Sequence, residues 1–155
     1  MATKRGSLRY RGYLAEISED MAEPCRIAVE VRGALGWRKI TDLESPPDLS
    51  FNWGYGPGGT GPALTGGAVL TDALGTPVGE PNYPDPHRRL ARDFTEDVIA
   101  HLPRDEPWQL HRETVLWWVR GWYVGHREVQ WPTALLKVGP TTGALTLPRA
   151  RLDDD

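Results

Sequence analysis

Four consecutive small residues, Gly58, Gly59, Thr60 and Gly61, stand immediately before a helix-start signal, and they are the best candidate for backbone chemistry in this chain. Successive N–H groups from such a run, continued by the free N–H groups of a helix N-terminus, can cradle an anion. The run lacks the GxxxxGK[ST] and GxGxxG patterns of nucleotide loops and supplies no lysine or arginine. A rigid turn combined with a protein-contact surface therefore ranks above anion binding. Arg88, Arg89 and Arg92 form a second candidate, a cationic cluster at a helix start that could meet nucleic-acid phosphate. Acids interleave with these arginines, so a solvated helix face ranks above it. His87, His101, His111 and His126 have no i, i+4 pair and no zinc spacing, so no metal site is predicted. Cys25 reads as a small, partly buried thiol. Asp93, Glu96 and Asp97 share one helix, where Arg89 and Arg92 can partner them at i+4. No cofactor motif is present, and no residue set amounts to a catalytic centre.

The remaining candidates are contact residues. Phe51, Trp53 and Tyr55 alternate, so an extended chain points all three to one face. That face is either a core anchor or an exposed aromatic patch. Trp117 falls off the apolar stripe of its predicted helix and could add to such a patch. Asp42, Glu44 and Asp48 open a stretch, residues 41–85, that holds six acids and no base. Those acids would steer a basic partner and repel phosphate from the glycine-rich loop.

These residues need a scaffold, and 155 residues suffice for one domain that buries roughly two-thirds of its extended surface. Seven tryptophans argue for folded packing, while 17 glycines and 14 prolines argue for short elements and ordered loops rather than a helical bundle. The net charge of −3 is uneven: residues 1–40 carry a surplus of three bases, residues 86–137 of one. Lys4, Arg5, Arg9 and Arg11 form a small basic group at the start. A single cysteine precludes an internal disulfide and suits the cytoplasm. There is neither a signal-like apolar segment nor an apolar window long enough to span a membrane.

Residues 8–13 alternate like an edge strand, and Ile27, Val29 and Val31 place one face of a second strand inward. Residues 16–24 read as a solvated connection, and residues 33–36 turn the chain into a short strand from Trp37 to Ile40. Thr60 caps a helix with Pro62 in its first turn, and the Gly66-Gly67 pair predicts a close neighbour. Asp85-Pro86 starts another helix, whose stripe is Leu90, Phe94, Val98 and Leu102, stopped by Pro103. A third helix spans residues 112–122, buried along Val115, Trp118, Val119 and Trp122, with Gly125 ending it. Residues 129–138 and 145–147 read as further strands, and 149–155 as a charged tail after a single domain over 1–148. The fold class is α+β, a small antiparallel sheet covered by two or three helices.

The residues Phe51, Trp53, Gly54, Tyr55, Gly56, Gly61, Pro62, Ala63 and Leu64 resemble the phrase FxWGYGGSGPAQLAL of a family of small, uncharacterised bacterial and phage proteins. The likeness extends to Tyr10-Arg11-Gly12, the helix over 94–102 and Trp108-Gln109-Leu110, and departs at residues 57–60 and 65–67. That family carries no assigned activity, so the resemblance transfers no catalytic residue. Its plasmid and phage settings imply an accessory or inhibitory protein, and hence a non-enzymatic module that binds a protein partner. A small enzyme or sensor with an anionic ligand at residues 58–61 is the alternative, and nucleic-acid binding through Arg88, Arg89 and Arg92 is the third.

Overall fold

The computed structural model describes residues 7–13, 25–46, 49–53, 60–78, 87–103 and 106–127. Four antiparallel strands, β1 (Leu8–Tyr13), β2 (Arg26–Gly33), β3 (Gly36–Asp42) and β4 (Trp108–His111), form one sheet in the order β3-β2-β1-β4. Three helices, α1 (Thr60–Leu74), α2 (His87–Asp97) and α3 (Arg112–Gly125), make this a single small α+β domain, as the sequence predicts.

The pleat sorts the strands into two faces. Tyr10, Ile27, Val29, Trp108 and Leu110 point towards the helices and join one core with Val69, Leu70, Phe94, Val119 and Tyr123. Against Gly12 the Trp108 indole lies so close that a Cβ there would overlap it. The β2–β3 hairpin turns through Ala34 and Leu35 without a positive φ at either, and Gly36 takes φ +105° instead. Glycine takes that φ without the strain a side chain would bring.

The apolar stripe of α2 and the glycine pair of α1 hold. Leu90, Phe94, Val98 and Leu102 are all buried, with a short 3₁₀ turn at Ile99–His101 before Pro103. The glycine pair has the expected neighbours: a Cβ on Gly66 would overlap the Thr95 hydroxyl, and one on Gly67 would stand 3.3 Å from the Val78 carbonyl. Two helices thus approach backbone to side chain. Arg112 Nη2 donates to the Ala73 carbonyl at 2.8 Å, satisfying one of the free carbonyls that end α1, and Gly75 follows with φ +68°.

Two expectations are corrected. β1 is not an edge strand; it lies between β2 and β4. The reason is β4, whose Trp108 and Leu110 pair with Gly12 and Tyr10, and whose four residues are too few to announce themselves by alternation. Arg92 approaches its neighbour Asp93 at 3.6 Å instead of Glu96. The Asp85-Pro86 start, the connection over 16–24, the strands expected after residue 128 and the charged tail lie outside the described residues.

Candidate functional site

Strand alternation leaves a second sheet face on which no described helix packs. It carries Arg9, Arg11 and Tyr13 from β1, Arg26, Ala28, Glu30 and Arg32 from β2, Trp37, Lys39 and Asp42 from β3, and Gln109 and His111 from β4. Five bases stand there against two acids, in a chain whose total is −3. The pairing of strands therefore gathers positive charge on one side, which linear counting conceals.

At the centre, Arg9 is locked. Its Nε donates to Glu30 Oε1 at 2.7 Å, its Nη1 donates to Gln109 Oε1 at 2.6 Å, and its guanidinium lies 4.3 Å from the Trp37 ring centroid. Arg9 and Glu30 are 4% and 7% exposed, values unusual for charged residues and tolerable only because each has a partner. Trp37 meets His111 edge-on at 5.4 Å. Arg9 is thus a buried strut, not part of a solvated basic cluster with Arg11.

One end of the face is built differently. Tyr13 and Arg26 are cross-strand partners, and Arg11 precedes Tyr13 by two residues on the same side. The Arg11 and Arg26 guanidiniums stand 5.5 and 4.9 Å from the one Tyr13 ring. Both make cation–π contacts, and neither forms an ion pair among the described residues. Arg32 is exposed at the other end, opposite Trp37.

On the helix side, Tyr10 buries its ring and donates its hydroxyl to Asp72 Oδ2 at 2.7 Å. Burial, then the bond to Asp72 and the charge of that carboxylate, push the Tyr10 ionisation far up, with Arg112 opposing. Burial also raises Tyr123. Such phenols hold their protons at neutral pH and serve as structural donors.

The residues singled out from the sequence do not converge. Phe51 and Trp53 are 3% and 2% exposed and belong to the core, where Trp53 meets Trp108 edge-on at 5.2 Å; as contact residues they are corrected to core anchors. Trp117 is half-buried, 5.8 Å from Arg120. Asp42 is tied to Lys39 at 3.2 Å, and Glu44 is exposed. Thr60 and Gly61 begin α1, and the Asn52 amide covers the Gly61 α-carbon, its Oδ1 buried and unpaired among the described residues. Arg88 and Arg92 are exposed on α2, and Arg89 is half-buried. Tyr55, Gly58, Gly59 and Asp48 lie outside the described residues. Among the described residues no group of three metal-ligating side chains occurs, and no helix is long and apolar enough to cross a membrane.

Residues 26–121, from the first residue of β2 almost to the end of α3, match the model of DUF6166, a family of unknown function. The chain belongs to that family. No curated protein and no solved structure matches it. The family match covers β2, β3, β4, α1, α2 and most of α3 and leaves out β1, which supplies Arg9, Arg11 and Tyr13 to the far face. Sequence reasoning missed this face because each contributor was assessed within its own segment. The available signal was alternation: Arg9 and Arg11 share one side of β1, and Arg26, Glu30 and Arg32 one side of β2.

Proposed function

We propose that this DUF6166 protein is a binding module rather than an enzyme, and that it engages an acidic macromolecule through the far face of its sheet. The observation that carries this is the surplus of three bases on that face in a chain of net charge −3. An acidic partner fits better than the basic one suggested by residues 41–85, because Asp42 is engaged by Lys39 and Asp72 by Tyr10. The Tyr10 hydroxyl, the most strongly shifted described group, is committed to Asp72 as a donor, which suits scaffolding and not proton transfer. An accessory or inhibitory role for a phage or plasmid rests on the resemblance of the phrase beginning at Phe51, and a cytoplasmic location on the single cysteine, Cys25.

The test is retention on immobilised heparin, a generic polyanion, at about 50 mM salt, where charge contacts are least screened. The protein is retained despite its net negative charge, and Arg11→Ala with Arg26→Ala releases it. Arg88→Ala with Arg92→Ala leaves retention unchanged. Elution in the void volume, or release by the α2 pair alone, refutes the assignment.

A further inference from the structure

Deepening the far-face reading, on which this rests, we infer that the ligand is single-stranded nucleic acid, with phosphates at Arg11, Arg26 and Arg32 and bases against Tyr13, Trp37 and His111. Arg11 and Arg26 bring two positive charges to one ring without an ion pair among the described residues, whereas the buried Arg9 has its carboxylate in Glu30. Each guanidinium packs on the ring through its π face and keeps in-plane N–H donors of the kind by which arginine recognises phosphate. Arg32 stands six residues from Arg26 along β2, roughly 20 Å away at about 3.3 Å per residue. Aromatic rings occur at both ends of that span, Tyr13 beside Arg26 and Trp37 opposite Arg32. Interleaved cations and rings on an antiparallel sheet are what single strands require, since the backbone follows charge and every base has a face that stacks.

An acidic peptide would use the charges and leave the rings idle. Nor does the β3 edge of the sheet invite an added strand. β3 is guarded by a bulge opposite Val29 and Glu30 and by the exposed Lys39, both devices that discourage strand addition.

The experiment is fluorescence anisotropy with a labelled single-stranded oligothymidylate and its oligouridylate counterpart, competed by a polyglutamate peptide of equal length. The expected result is binding of the oligonucleotides and weak competition by the peptide. Three neutralised phosphates give a logarithmic salt slope near −2, so affinity falls about 18-fold between 50 and 200 mM salt. Arg26→Ala reduces that slope by about 0.7, and Tyr13→Leu lowers affinity about tenfold through lost stacking. Circular dichroism of each variant, unchanged from the parent, ties these losses to contact and not to unfolding. Heparin retention without oligonucleotide binding overturns the nucleic-acid assignment and leaves the far face standing. Competition by polyglutamate at equal concentration overturns it in favour of an acidic protein. Oligonucleotide binding that survives Arg11→Ala with Arg26→Ala overturns the site.

Discussion

Removing the Arg9 guanidinium should be the most damaging single change on the far face. Arg9→Met keeps much of the length that lies against Trp37 but leaves Glu30, 7% exposed, without its 2.7 Å partner. It also removes a 2.6 Å bond from Gln109. Stranding one member of a buried ion pair costs about 3–5 kcal/mol. Small domains have about 5–15 kcal/mol in total, so the variant sits near its unfolding threshold. With a urea m-value of about 2 kcal/mol/M the midpoint falls by about 2 M. Arg9→Lys should also be costly, because one ammonium cannot reach Glu30 and Gln109 in two fixed directions while lying flat on an indole. The decisive comparison is Arg9→Met with Glu30→Met. With both charges gone no desolvated ion remains, and the double variant should lie within about 1 kcal/mol of the parent. Urea unfolding followed by tryptophan fluorescence measures the parent, Arg9→Met, Arg9→Lys, Glu30→Met and the double variant. A loss below about 1 kcal/mol for Arg9→Met, or a double variant as unstable as the two single losses added together, would refute the strut.

Three further outcomes follow from the core. Gly66→Ala gains about 1 kcal/mol of helix propensity but drives a methyl into the Thr95 hydroxyl, with Ile99 Cγ1 only 3.5 Å from it. A net loss of about 1–2 kcal/mol is expected from overpacking, largely reversed by adding Thr95→Ala, as thermal melts would show. Tyr10 keeps its proton in the folded protein at pH values where the unfolded chain, with an ionisation near 10, has lost it. Its contribution is therefore complete below about pH 10 and is lost as pH rises above that, by up to about 1.4 kcal/mol per unit. Tyr10→Phe should flatten this dependence in denaturant titrations between pH 8 and about 11; an unchanged slope would count against it. Asp93→Ala strands the Trp122 indole N–H, which donates to Asp93 Oδ2 at 2.8 Å. It should cost about 1–3 kcal/mol and shift tryptophan emission.

Local signals carried the helices because their information is local. The Leu90-Phe94-Val98-Leu102 stripe, Pro62 in the first turn of α1 and the glycine pair each lie within one turn or one element of the feature they specify. The centre of the sheet was illegible for the opposite reason. β1 is central only because Gln109 and His111 return to it about 100 residues later, in a four-residue strand between a proline and a helix. Arg9 reads as a solvated base until Glu30, 21 residues away, and Gln109, 100 residues away, close round it. Phe51 and Trp53 were legible as a pair sharing one face, but burial depended on Trp108, which the sequence places in no strand. The far face needed all four strands at once, and no window of the sequence contains them.

Rigidity links that architecture to binding. Arginine and tryptophan side chains on a solvated sheet face ordinarily sample many rotamers, and ordering each on binding costs about 0.5–1.5 kcal/mol. Here Arg9 is held at three points and buries its charge, which fixes one side of Trp37, while His111 meets the ring edge-on. Tyr13 is flanked by Arg11 and Arg26 before any ligand arrives. Much of the ordering is therefore complete in the folded protein. The surplus of three bases among the described strand residues of the far face would draw the proposed polyanion to it. A buried Arg9–Glu30 pair adds little to stability compared with apolar residues of the same size. Its retention on this face is explained if the pair holds Trp37 where a base can stack. Arg9→Met with Glu30→Met should then remain folded yet bind oligonucleotide less tightly than the parent, separating the pair's role in recognition from its role in folding.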